Sequence, residues 1–272
     1  MNMSVKPLAF IPEHGVLVPE RLLALAQGDS IRPVWVNGVG GVTFRMGEGT
    51  GRERYVKYAA AGTPESDFAR EAARMEWAGR FSPVPEVLEQ GADEQGSWLA
   101  TRAMAGASAV DPVWVARPEQ AARAIGAGLR ALHDALPVEG CRFSWSVVDR
   151  LEGFEARIAS GGSPADWGNG YSRFTVEQAR KMLCTPPPID KLVVCHGDAC
   201  APNTLLDRDG NFAGHVDLGA IGVADRWADL AVAAWSTEWN YGLGYERLVY
   251  EAYGIQPDAE RIAYYRMLWD LT

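Results

Sequence analysis

Three residues carry the chemistry on offer in this 272-residue chain: Asp198, Asn203 and Asp217. Asn203 follows Asp198 by five positions, and Asp217 opens an Asp-Leu-Gly turn further on. One carboxylate can accept or orient a hydroxyl proton, while an amide oxygen and a second carboxylate offer hard ligands to Mg2+. That is the equipment for metal-assisted phosphoryl transfer. Each residue alone is an ordinary turn former, so the argument rests on their spacing, order and context. Leu192-Val193-Val194-Cys195 has the length and composition of a buried strand, and His196-Gly197-Asp198 breaks it. Thr204-Leu205-Leu206 is apolar again, and Asp207-x-x-Gly210 before a second apolar run reads as a hairpin. The three polar residues then fall at strand or loop ends and converge. A zinc reading of Cys195, His196 and Cys200 fails, because there is no C-x-x-C and no second ligand cluster.

The preceding chain must position a nucleotide if this chemistry is real. Pro19 to Ala26 reads as a short helix. Val34 to Arg45 reads as strand, glycine-rich turn and strand, with Gly38, Gly40 and Gly41 in a turn whose amides can approach phosphates. Arg54-Tyr55-Val56-Lys57-Tyr58 alternates as a strand with one lysine, placed where phosphate sites of this kind carry the lysine for the α- and β-phosphates. A helix is expected from Ser66 to Gly79, with Phe68, Ala72 and Met75 at helical spacing. Glu71 is the natural partner for Lys57, with Glu65 and Glu76 as rivals. Two more strands are expected at Val84 to Leu88 and Trp98 to Thr101. From Pro118 the pattern is helical: Ala121 to Leu136 carries His133 near its C-terminal end, read as structural, and a helix follows from Val148 to Ile158. A Gly/Ser-rich loop spans Ser160 to Tyr171, a helix opens at Ala224 with Asp225 as its N-cap, and a last helix runs from Asp258 to Leu271.

Cys195-His196-Gly197-Asp198, Pro202-Asn203, Val216-Asp217-Leu218-Gly219 and the run Gly222 to Ala231 resemble the aminoglycoside phosphotransferases, above all those acting on a 3′ or 3″ hydroxyl. The likeness covers nearly the whole chain, densest over residues 192–231. The resemblance implies a two-lobed, protein-kinase-like α+β fold. Its N-terminal lobe (residues 1–103) would be a small antiparallel sheet with one helix, and its C-terminal lobe (residues 104–272) larger and mostly helical. It implies ATP and Mg2+ as cofactors, Asp198 as the catalytic residue, and Asn203 and Asp217 as metal ligands. Lys57, held by Glu71, would fix the phosphates. Thr101 and Ala103 would flank the adenine at a hinge over Arg102 to Gly106. Asp229 is expected to be a buried carboxylate bracing the catalytic loop.

The acceptor side departs from the family pattern. An acidic residue common three positions after the catalytic Asp is Ala201 here, and a basic residue common after Asp-Leu-Gly is Ala220. Carboxylates expected to bind ammonium groups reduce to Glu238, beside Trp239 and Asn240, and to Asp270, beside Trp269. Trp235 reads as core, and Trp239 is open between core and sugar stacking. The acceptor expected from the resemblance is an aminoglycoside, and the alternative is another sugar, amino alcohol or antibiotic. A catalytically silent nucleotide-binding module would be expected to lack one of Lys57, Asp198, Asn203 or Asp217, and all four are present.

Composition bounds the remaining classes. The chain is 47% hydrophobic and 22% charged, with a formal net charge of −9. That balance argues against a nucleic-acid partner and is compatible with a cationic substrate. No apolar run approaches a membrane span, and the N-terminal stretch lacks the basic and apolar regions of a secretory signal. Four cysteines without framework spacing fit reduced thiols and a cytoplasmic location.

Overall fold

Strand-forming runs in the first hundred residues pair into one antiparallel sheet. The computed structural model describes residues 9–10, 12, 15–64, 67–168 and 170–272. Its first compact unit takes in the described residues up to Arg80 together with Val84–Met104. Six strands, β1 (Ala9–Phe10), β2 (Ile31–Asn37), β3 (Val42–Met46), β4 (Arg54–Ala60), β5 (Val87–Asp93) and β6 (Gly96–Arg102), lie in the order β1-β2-β3-β4-β6-β5. Among the described residues two helices accompany them: α2 (Phe68–Ala78), the one helix that the family likeness implies, and α1 (Glu20–Ala26), the short helix expected over Pro19 to Ala26. α1 buries Leu22 and Ala26 against Phe44, Met46, Val56, Trp98 and Ala100 of the sheet. Burial of a leucine such as Leu22 contributes about 2 kcal/mol. Asp67 caps α2 by accepting from the Arg70 amide at 3.0 Å. The expected start at Ser66, and the rival Glu65, lie outside the described residues. The strand expected from Val84 begins only at Val87, opposite Thr101. Pro85 has no N–H to give a ladder.

The second unit comprises Phe81–Pro83 and Ala105–Thr272. Among its described residues are the helices α3 (Pro112–Val115), α4 (Pro118–Ala135), α5 (Val147–Ala159), α6 (Val176–Leu183), α7 (Trp227–Tyr241), α8 (Glu246–Tyr253) and α9 (Ala259–Leu271). Gly126 lets α4 press against α8: a Cβ there would lie 2.2 Å from the Val249 carbonyl oxygen. Two small sheets support the catalytic segment. One is ordered β10-β9-β7, from β7 (Ala107–Ser108), β9 (Thr204–Leu206) and β10 (Phe212–His215). The other pairs β8 (Leu192–Cys195) with β11 (Gly222–Asp225). β11 corrects the expected helix start at Ala224. Ala224 pairs with Val193 across the ladder, and the helix begins at Trp227. Asp225 nonetheless serves the helix entry by accepting from the Trp227 amide at 3.1 Å. Residues Trp227 to Thr237 of α7 are all buried. Among the described residues no helix is long and apolar enough to cross a membrane.

Candidate active site

The catalytic segment leaves β8 at Cys195 and turns through His196-Gly197-Asp198. Gly197 has φ +83°, and a Cβ there would meet the Ala220 carbonyl oxygen at 2.3 Å and Trp145 Cδ1 at 2.7 Å. Only glycine fits that turn. Its backbone is held from α7. Asp229, fully buried, accepts from the His196 amide at 2.6 Å and the Gly197 amide at 2.8 Å. His133 Nε2 lies 2.9 Å from the same carboxylate, and His133 Nδ1 lies 3.0 Å from the Tyr253 hydroxyl. Burial by itself would push the Asp229 carboxyl up, yet its hydrogen bonds and the neighbouring histidines hold it below the usual range. A second anchor sits two turns further along α7, where Ser236 Oγ accepts from the Ala201 amide at 2.8 Å.

Asp198 is half-buried with both carboxylate oxygens engaged. Cys200 Sγ lies 3.2 Å from Oδ1, and Asn203 Nδ2 donates to Oδ2 at 3.0 Å and to the Asp198 carbonyl at 2.9 Å. Turning its NH2 to Asp198 leaves Asn203 with its amide oxygen to offer a cation. Burial, then the negative charge of nearby Asp217, raises the Asp198 carboxyl above its ordinary value. Asp217 follows β10, is exposed, and adopts φ +63°, a left-handed conformation that a non-glycine residue holds only at a cost. Beside this turn His215 is buried, neither ring nitrogen has a hydrogen-bond partner among the described residues, and burial drives its pKa well below the ordinary value. The donor set of Asn203 and Asp217 is all oxygen, which fits Mg2+.

The first unit carries its own constellation. Lys57 on β4 donates to Glu71 Oε1 at 2.7 Å, with the Glu71 side chain 8% exposed. Glu76, the rival on the same helix, is exposed. Thr101 is nearly buried at the end of β6, opposite Tyr55 and Val87, and the Ala103 amide donates to the Glu53 carbonyl at 3.0 Å. The glycine-rich turn departs from expectation. Asn37 Oδ1 accepts from the Val39 and Gly41 amides at 3.2 and 2.6 Å, and the Gly40 amide donates to the Asn37 carbonyl. Amides read as available to phosphates are spent on the asparagine that closes the turn.

Both acidic candidates for acceptor binding lie in the second unit. Glu238, on the last turns of α7, shares a hydrogen bond with Glu246 that, together with burial, raises its pKa. Arg266 donates to Glu246 at 2.5 Å. Asp270, half-buried, accepts from the Gly168 amide at 2.9 Å and so ties down the Gly/Ser-rich loop. Three further residues are given no part in the site by the sequence reading. Cys200 and Ser236 connect Asp198 to α7. Arg150 lies over the Trp145 ring at 4.6 Å and donates to Thr272 Oγ1 at 2.7 Å. Burial lowers its pKa to about 10, against the pull of the Asp198 charge. Nothing local in sequence marks Arg150. Ser236 has a signal, because a hydroxyl inside an apolar buried helix needs a partner.

Comparison with known proteins agrees with this geometry. Residues 31–265 match the model of the phosphotransferase enzyme family. The aminoglycoside 3′-phosphotransferase of Streptomyces fradiae is 36% identical over 231 residues, covering 79% of this chain and 84% of that protein. The streptomycin 3″-kinase of Streptomyces griseus is 32% identical, covering 96% and 98%. Among solved structures, an aminoglycoside-3′-phosphotransferase of type VIII aligns with TM-score 0.79 at 31% identity, over 93% of this chain and 98% of that one. APH(3″)-Id from Streptomyces rimosus, in complex with ADP and streptomycin, aligns with TM-score 0.73 at 27% identity, over 93% and 96%. The geometry around Asp198 and these likenesses agree: the chain belongs to the aminoglycoside phosphotransferases of the phosphotransferase enzyme family.

Proposed function

We propose that this enzyme transfers the γ-phosphoryl group of ATP to a 3′ or 3″ hydroxyl of an aminoglycoside in the cytoplasm, releasing ADP and conferring resistance. The observation that carries the reading is the engagement of Asp198 by Asn203 on a loop braced from α7. The relatives named above act on aminoglycosides at these hydroxyls. Four cysteines without disulfide-framework spacing support the cytoplasmic assignment.

Asp198 orients the acceptor hydroxyl so that its oxygen faces the γ-phosphorus, and takes the proton as the new O–P bond forms and the bond to ADP breaks. A carboxylate is a weak base for an alcohol, so orientation is its larger contribution. Asn203 and Asp217 would hold Mg2+, which supplies positive charge against the phosphate oxygens when bound. Lys57 neutralises the α- and β-phosphates, and Glu71 fixes its direction. Thr101 and Ala103 contact the adenine through the backbone. Since the Ala103 amide is already donated to Glu53, its contribution would come from the carbonyl. Glu238 and Asp270 supply negative charge to the acceptor's ammonium groups.

The test is ADP release from Mg-ATP in the presence of kanamycin, neomycin, streptomycin and a panel of non-antibiotic alcohols. Turnover confined to aminoglycosides is expected, with Asp198→Ala losing nearly all of it while nucleotide binding survives. Turnover on the other alcohols alone would overturn the acceptor assignment, and an active Asp198→Ala would overturn the role of Asp198.

A further inference from the structure

We infer that the stacked indoles of Trp239 and Trp269 are the platform on which this enzyme seats the ring of its acceptor, an amino sugar or aminocyclitol. The inference rests on the phosphotransferase reading above and deepens it. Trp239 is 44% exposed on a helix whose preceding eleven residues up to Thr237 are buried, and its neighbour Trp235 is only 7% exposed. The Trp239 ring lies 5.8 Å from that of Trp269 with their planes 29° apart, and 4.8 Å from Trp235. Trp235 thus backs the pair from the core, and Trp239 keeps a large aromatic surface in water.

Its position along α7 relates it to the chemistry. Asp229 holds the start of the catalytic loop at His196 and Gly197, and Ser236, seven residues on and on the same helix face, holds its continuation at Ala201. Asp198 is joined to this face through Cys200, whose thiol lies 3.2 Å from Oδ1 and also meets the Ser236 side chain. Trp239 comes one further turn along, about 5 Å past Ser236. Asn240, in the same turn, donates to Ser236 Oγ at 3.2 Å, tying this end of the helix to the loop anchor.

The surroundings specify the ligand. An indole face accepts the C–H face of a saturated ring, and it attracts a cation. Glu246 is paired with Arg266, and the hydrogen bond that Glu238 shares with Glu246 places a proton between two carboxyls, so that group is close to balanced. The cation-attracting element is then the indole face itself, which an ammonium substituent on the acceptor ring would meet. A neutral sugar would use the stacking surface alone. An aminated ring uses both properties of the face.

The test compares Trp239→Ala, Trp269→Ala and Trp239→Phe in steady-state kinetics on whichever aminoglycoside the wild type phosphorylates. Acceptor KM should rise roughly three- to thirty-fold in either alanine variant, more than kcat falls. The KM for ATP should stay put, and Trp239→Phe should restore most of the acceptor affinity. Wild-type tryptophan fluorescence should also shift on titration with the acceptor in the absence of nucleotide, with the shift diminished in Trp239→Phe. Unchanged acceptor KM in both alanine variants of an active enzyme would overturn the platform and leave the functional reading standing. A wild type inactive on every aminoglycoside would instead remove the reading on which the platform rests.

Discussion

Asn203 Nδ2 donates both to Asp198 Oδ2 at 3.0 Å and to the Asp198 carbonyl at 2.9 Å, so one amide fixes the side chain and the backbone of the catalytic residue together. Asn203→Ala therefore removes a rotamer lock as well as the proposed metal ligand. A fall in kcat of about a hundredfold or more is expected from misorientation alone. Excess Mg2+ should rescue only the part that comes from weaker metal binding. Full recovery at high Mg2+ would show that the hydrogen bond to Asp198 is dispensable.

The Lys57–Glu71 pair gives a prediction that separates nucleotide from acceptor. Glu71→Gln keeps the shape and a hydrogen-bond acceptor for Lys57 but removes the charge that directs it. The KM for ATP should rise about tenfold, the value of a charge-assisted bond reduced to a neutral one. Acceptor KM should be unaffected. A variant with unaltered ATP KM would separate Glu71 from phosphate binding.

Asp229 is the brace, and its loss should be a stability event. Asp229→Ala strands the His196 and Gly197 amides and the His133 ring in a dry interior. Breaking a buried, multiply bonded carboxylate of this kind costs about 3–5 kcal/mol. Urea unfolding should show a midpoint lowered accordingly. A cost below about 1 kcal/mol would mean the loop is held elsewhere.

His215 supplies a pH dependence whose sign follows from burial. Its folded pKa lies well below the ordinary 6.5. Above 6.5 neither state binds a proton and the residue has no effect. Below it the unfolded chain takes up a proton that the folded protein refuses, so stability drops with falling pH. The slope approaches about 1.4 kcal/mol per pH unit until the folded pKa is reached. His215→Phe, an aromatic of similar size, should flatten this part of the stability profile. An identical slope in the variant would refute the assignment.

Much of the site is legible in the sequence because its signals are local. The five-residue step from Asp198 to Asn203, the hairpin over Asp207 to Gly210 and the helical register that puts Glu71 within reach of Lys57 all depend on near neighbours. The features that sequence alone does not reveal depend on distant ones. Ala224 and Asp225 look like a helix entry, but β8 lies far back in the chain and draws Gly222 to Asp225 into a strand. Arg150 bonds Thr272 from 122 positions away, through packing that no short window contains. The glycine-rich turn misleads for a local reason: the Asn37 side chain, to which the sequence reading gives no role, is the acceptor that uses up the Val39 and Gly41 amides.

The division of labour along α7 bears on how this enzyme could change its choice of antibiotic. The first turn carries Asp229, the middle carries Ser236, and only the last turns carry Glu238, Trp239 and Asn240. Substitutions confined to the exposed end leave the buried hydrogen bonds of the first turn untouched, so acceptor preference can drift without dismantling the catalytic loop. If this end seats the acceptor as proposed, a bulkier or smaller residue there would alter which ring is presented to Asp198 while the anchors at Asp229 and Ser236 stay in place. Selection with a new drug would then be expected to enrich changes at positions 238 and 239 well before changes at 229, at 236 or at Asn240, which is tied to Ser236.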